Sequence, residues 1–94
     1  IYINDLIDAI VITFDKKTKY DLYNIASSKG TSIKKIWEIL KKMLNSKVKP
    51  IYGEKRPIDV DKVILDISRF TKEFNWQPKI DINMGLKKTI SILK

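Results

Sequence analysis

Thr31-Ser-Ile-Lys-Lys-Ile-Trp-Glu-Ile-Leu-Lys-Lys-Met-Leu44 has the least ambiguous pattern in the chain. Ile33, Ile36, Trp37, Leu40 and Leu44 recur at helical spacing, while Lys34, Lys35, Glu38, Lys41 and Lys42 fall on the other side. Thr31 or Ser32 is placed to cap this helix, and the Trp37 stripe reads as core packing, not as a ligand site. Upstream, Leu22-Tyr-Asn-Ile-Ala26 reads as a strand that turns through Ser27–Gly30 into the helix. Downstream, Val48-Lys-Pro-Ile-Tyr52 reads as a second strand, which Pro50 restricts to an edge. Ile1-Tyr-Ile3 and Val63-Ile-Leu65 are further short extended runs.

Three more helices complete the expectation. The first is capped by Asn4, carries Asp5 and Asp8 in its first turn and runs through Phe14, with Leu6, Ile7, Ile10 and Phe14 as its stripe. Ile12 lies opposite, so this helix is apolar almost all round and needs cover on more than one face. A brief helix with Asp66 or Ser68 as cap turns Phe70 and Phe74 inward and stops at Trp76-Gln-Pro78. A last helix, capped by Asp81 or Asn83, has Leu86, Ile90 and Leu93 on its inner face. The expected fold class is α/β, a small mixed domain of about four helices and three or four short strands.

Composition removes whole classes of function. The 94 residues suit one small domain spanning 1–94, and 44% hydrophobic with 32% charged content reads as globular. Cysteine and histidine are both absent, which excludes a disulfide framework, the usual zinc site, and any Ser-His-Asp or Cys-His nucleophile. No apolar run approaches the roughly 20 residues that span a bilayer, so no membrane partner is expected and the default location is cytoplasmic. The chain opens at Ile1 without methionine, inside an apolar run, as a piece of something longer would. The formal charge is +8, yet the lysines come as scattered pairs and argue against a dedicated nucleic-acid surface.

Tyr52-Gly-Glu-Lys-Arg-Pro-Ile-Asp59 gathers a guanidinium, an ammonium, two carboxylates and a phenol. Pro57 biases Arg56 towards an extended backbone, from which its planar fork faces outward to meet a phosphate or carboxylate two bonds at a time. Asp59 is an acceptor suited to the hydroxyls of a ribose or sugar. The stretch is therefore a candidate anionic-ligand site; the alternative reading is a solvated turn with charges and a proline. A ligand role requires that the guanidinium face a cleft and not be locked into an internal ion pair.

Several collinear pieces resemble the C-terminal, substrate-side part of the NAD-dependent epimerase/dehydratase family, the extended short-chain dehydrogenase/reductases of the UDP-glucose 4-epimerase kind. They are Ile1-Tyr-Ile-Asn-Asp-Leu-Ile-Asp-Ala-Ile10, Tyr23-Asn-Ile-Ala-Ser27 with Gly30-Thr-Ser-Ile33, Arg56-Pro-Ile-Asp59, Asp66-Ile-Ser68, and Phe74-Asn-Trp-Gln-Pro78 leading into Gly85-Leu86. The last is similar to the family's L-G-W-x-P…G-L ending. The resemblance implies that Arg56 binds the diphosphate of a nucleotide sugar and that Asp59 contacts its ribose. It also implies that Asn24 lies near the site in a structural role, and that Asp66, Trp76 and Pro78 are fold elements. The family commonly has glycine or alanine where Ile58 stands.

The resemblance implies equally what this chain lacks. Its glycines, Gly30, Gly53 and Gly85, are too dispersed for a dinucleotide fingerprint. Four residues after its tyrosines stand Leu6, Asn24, Ser27 and Arg56, so there is no Tyr-x-x-x-Lys pair. No catalytic, cofactor-binding or metal-ligating residue is assigned. NAD belongs to the parent enzyme, and the implied partners are a nucleotide-sugar substrate and either the missing Rossmann half or a second copy of the chain. A free-standing, non-catalytic interaction module of the same descent is the alternative function.

Overall fold

The computed structural model describes all residues from Ile1 to Lys94. It contains four helices: α1 (Ile3–Thr13), α2 (Ile33–Met43), α3 (Ser68–Phe74) and α4 (Ile82–Leu93). Two compact units divide them. One comprises Ile1–Lys29 and Ile64–Lys94, and the other Gly30–Val63.

In the first unit, α1 turns Asp5 and Ala9 fully inward, with Tyr2, Leu6, Ile12 and Thr13 half-buried beside them. That spacing is helical, but its centre is an aspartate and an alanine, so Ile3, Ile7, Ile10, Val11 and Phe14 are left exposed. The stripe expected to face the core is thus largely the outer face. Asp5 is tolerated at 3% exposure because its Oδ2 accepts the backbone N–H groups of Lys79 (3.1 Å) and Ile80 (2.9 Å). One carboxylate thereby ties the start of α1 to the chain just before α4.

Ala9, Ile67, Phe70 and Trp76 form the core of this unit, with Ile12, Tyr23, Ile25, Ala26 and Phe74 packed around them. Phe70 meets the rings of Trp76 and Tyr23 edge to face, at 5.4 and 5.7 Å between centroids. Neither Asp66 nor Ser68 is the cap of α3: Ile67 holds that position without a side-chain cap bond, while Asp66 Oδ1 accepts the Ser68 N–H at 2.8 Å just before the helix. Asn75 ends that helix in the left-handed region (φ 50°), a conformation asparagine tolerates better than most side chains. Asp81 caps α4 by accepting from Met84 N, as expected, whereas α1 starts one residue before Asn4 and has no side-chain cap. Leu86 and Ile90 face inward on α4; Leu93 is exposed.

In the second unit, Ser32 accepts the Lys35 N–H at 3.0 Å and starts α2. Ile39, which the expected stripe left out, is the buried residue of α2; Ile36, Trp37 and Leu40 are half-buried, while Ile33 and Leu44 at the two ends of the stripe are exposed. Lys41 Nζ sits 4.9 Å from the centre of the Trp37 ring.

The α/β expectation is overturned: the chain has helices and no strand. Ile3 is already helical, and Leu22–Ala26, Val48–Tyr52 and Val63–Leu65 belong to no ladder. The side chains of 22–26 do alternate, with Tyr23 and Ile25 inward and Leu22 and Asn24 outward. Alternation reports an extended backbone against a core, but a strand also needs a neighbour to pair its N–H and C=O groups, and no segment of this chain supplies one. No helix is long and apolar enough to cross a membrane.

Candidate functional site

Arg56, Pro57, Ile58 and Asp59 form a tight turn in the second unit, closed by the Asp59 N–H donating to the Arg56 carbonyl at 3.1 Å. Proline at the first corner has its φ pre-set for this geometry. Ile58, at the second corner, does not adopt a positive φ, so the turn is of the type I kind and does not demand glycine there. The turn brings the two predicted site residues together. It also lays one across the other: Arg56 Nη2 lies 2.8 Å from Asp59 Oδ1, and Arg56 Nε donates to Oδ2 at 3.2 Å. The fork read as facing outward for a phosphate is occupied in two-point fashion by a carboxylate of the same turn.

A second ion pair encloses the first, with Lys55 Nζ 2.6 Å from Asp61 Oδ1. Both pairs are wet; the Arg56 and Asp59 side chains are 74% and 40% exposed. Water screens such pairs to about 0.2–1 kcal/mol each, less than a charge-assisted bond to a bound ligand provides. The internal ion pair that counts against a ligand role is therefore present, though exposed, and neither Arg56 nor Asp59 lines the pocket of the first unit. Ile58 and Tyr52 are also exposed, at 83% and 80%, so the same loop offers apolar surface beside the charges.

The first unit carries a shallow pocket of about 280 Å³ lined by Leu22, Asn24, Asp66, Ser68 and Arg69. Asn24 Nδ2 donates to the Asp66 carbonyl at 3.4 Å. The Ser68 backbone N–H, then the Ser68 hydroxyl, hold the Asp66 carboxyl below the usual carboxylate range, with Lys72 adding to the effect against some burial. Arg69, which sequence reasoning passed over, lines this pocket, and its guanidinium carbon stands 4.7 Å from the centre of the Tyr20 ring. No pattern in the sequence singles it out, because Tyr20 and Arg69 are 49 positions apart.

Tyr23 is placed as a structural donor. Its hydroxyl donates to Glu73 and accepts from the Tyr20 N–H at 3.0 Å, while Glu73 Oε1 also accepts the Lys19 N–H at 2.6 Å. Burial pushes the Tyr23 phenol up, and the bond to Glu73 pushes it further the same way. A tyrosine held protonated in this manner clamps the 15–23 loop to α3 and is poorly suited to act as a base.

Known proteins are similar to this sequence across nearly its whole length. The chain is 31% identical over 96 residues to the dTDP-4-dehydro-6-deoxyglucose reductase of Escherichia coli, covering all of this chain and 30% of the relative. It is 34% identical over 91 residues to the UDP-glucuronate 4-epimerase of Thermodesulfobacterium geofontis, covering 96% of this chain and 28% of that one. The crystal structure of the Bordetella bronchiseptica enzyme WbmG in complex with NAD and UDP superposes with a TM-score of 0.80 over 95% of this chain and 28% of WbmG, at 21% identity. That likeness establishes the fold. No family model matches the chain. The chain spans about 30% of the length of these two curated relatives.

Proposed function

Since the chain belongs to the NAD-dependent epimerase/dehydratase family, as a C-terminal part of it, we propose that it is the portion that holds a nucleotide-sugar substrate. Arg56 grips the diphosphate and Asp59 takes the ribose hydroxyls. NAD and the hydride chemistry belong to a dinucleotide-binding portion that these 94 residues do not contain, since they lack both the glycine fingerprint and a Tyr-x-x-x-Lys pair. Binding energy collected here, away from the reacting sugar, serves to position the substrate for reaction elsewhere.

The observation that carries this reading is the similarity, over nearly the whole chain, to a dTDP-sugar reductase and a UDP-sugar epimerase. The Arg56–Asp59 ion pair counts against an open fork, and a phosphate would have to displace it, which its exposure to solvent allows. The exposed outer face of α1 (Ile3, Ile7, Ile10, Val11 and Phe14) supports a docking role towards the dinucleotide-binding portion. The same face favours a second reading, self-association of a non-catalytic module. Titrating UDP into the chain and following the Arg56 side-chain Nε–H resonance tests the first. Binding should be weak, should move that resonance, and should be lost in Arg56→Ala. A resonance indifferent to UDP refutes the site.

A further inference from the structure

Both arginines of this chain stand three residues from an aspartate, Arg56 before Asp59 and Arg69 after Asp66. The first two meet at 2.8 Å. The second two form no ion pair, although both line the hollow of about 280 Å³ beside Leu22, Asn24 and Ser68. Each is held by something else. The Arg69 guanidinium carbon lies 4.7 Å from the centre of the Tyr20 ring, and Asp66 Oδ1 accepts the Ser68 N–H at 2.8 Å. Glu73, one turn beyond Arg69, accepts from the Tyr23 hydroxyl and the Lys19 N–H and makes no ion pair with the guanidinium either. We propose that this hollow binds a small zwitterion of the free α-amino-acid kind, with its carboxylate on Arg69 and its ammonium on Asp66. The proposal is independent of the reading of Arg56, which lies in the other unit.

A fixed cation and a fixed anion on one hollow select by charge pattern. A carboxylate that reaches Arg69 also meets Asp66, and an ammonium that reaches Asp66 also meets Arg69. Two unit charges about 4 Å apart repel by roughly fivefold in binding even at the dielectric of water. A molecule carrying both signs turns each repulsion into an attraction. The Asp66 carboxyl is ionised at neutral pH, because the Ser68 N–H and hydroxyl hold it below the usual carboxylate range; Lys72 acts on it without forming an ion pair. Asn24 adds an acceptor. Its Nδ2 is engaged by the Asp66 carbonyl, which leaves its amide oxygen for an ammonium proton. Leu22, 70% exposed, is the apolar wall, and covering it favours an aliphatic side chain over none. The volume lies just under the roughly 300–1,000 Å³ of sites for drug-sized ligands, so the occupant is small.

The experiment is an NMR titration of the 94-residue chain with L-leucine, glycine, acetate and ethylammonium, in the wild type, Asp66→Asn and Arg69→Gln. The Arg69 Nε–H and the Asn24 side-chain amide report on the hollow, and the Arg56 Nε–H serves as a reference outside it. Both substituted side chains are exposed, and asparagine keeps an oxygen that accepts the Ser68 N–H, so an unchanged spectrum away from the hollow certifies each variant's fold. In the wild type, L-leucine should move both reporters and leave Arg56 still, with a Kd that is roughly millimolar, as exposed charge contacts allow. It should bind about fivefold more tightly than acetate or ethylammonium, with glycine between. Asp66→Asn should bring L-leucine down to the level of acetate, and Arg69→Gln to the level of ethylammonium. The proposal is overturned if acetate binds the wild type as tightly as L-leucine, or if Asp66→Asn leaves the preference for L-leucine intact. It falls equally if L-leucine moves neither reporter.

Discussion

Arg56 and Asp59 illustrate how little separates a solvated ion pair from a binding site. The exposed pair is worth about 0.2–1 kcal/mol, so under the proposed reading a ligand has only that to displace, with its own bonds at the same exposed fork screened in turn. Arg56→Ala should accordingly weaken UDP binding while leaving the thermal midpoint nearly unchanged; a large loss of stability would mark the residue as structural. Asp5 is the opposite case. Its carboxylate is buried on two backbone N–H groups, and Asp5→Ala strands both, so we expect a loss of about 2–4 kcal/mol in urea unfolding. A loss under 1 kcal/mol would show that water replaces the carboxylate. The sequence marked Asp5 as a first-turn charge, since nothing local reveals partners 74 and 75 residues away.

At the scale of elements, helix ends were more legible than helix faces. Ser32 and Asp81, each one of two candidates, do cap their helices through contacts three residues apart, whereas the caps expected for α1 and α3 are not made. Asn75 stands where the resembling family motif has glycine, in a left-handed conformation. Asn75→Gly should raise stability by a few tenths to 1 kcal/mol and Asn75→Val should lower it by about 1–2 kcal/mol, both measurable by thermal denaturation. Asp66, whose carboxyl is held low by the Ser68 N–H, gives α3 an acid-sensitive start. A depressed folded-state value means that its contribution is present above the unfolded carboxylate range, near pH 4, and is lost as pH falls through the lower folded value. Asp66→Asn should flatten that part of the stability profile below pH 4. The face of α1 was not legible, because isoleucines on both sides of a helix leave its orientation to whatever packs against it.

Across the whole molecule, little of the apolar surface is covered. Only Ala9, Ile39, Ile67, Phe70 and Trp76 are buried hydrophobics, and the chain exposes 8384 Å² where a self-contained monomer of 11.0 kDa would expose about 5600 Å². Four of those five buried residues lie in the unit formed by Ile1–Lys29 and Ile64–Lys94. Amides of α3 should therefore exchange with solvent more slowly than those of α2, whose unit buries Ile39 alone; equal protection would contradict this. Uncovered isoleucines on α1 also predict concentration-dependent association in sedimentation, which Ile7→Asp with Ile10→Lys should abolish without loss of helix content. A wild-type chain that sediments as a monomer at all concentrations would remove the self-association reading.

Local chemistry was within reach of the sequence alone. It gave about four helices, narrowed the caps of α2 and α4 to two candidates each, and supplied the inward Phe70 and Phe74 and the collinear motifs that tie the chain to nucleotide-sugar enzymes. Each of these depends on residues a few positions apart or on residue identity itself. Tertiary structure alone decided that the extended runs pair with nothing, that α1 turns its aspartate inward and its isoleucines outward, and that Arg56 holds Asp59. Ladders and buried faces depend on which distant segments are present to meet them. The fork's partner depends on the fold of the turn around Pro57, which a linear pattern can anticipate only as an outward-facing arginine.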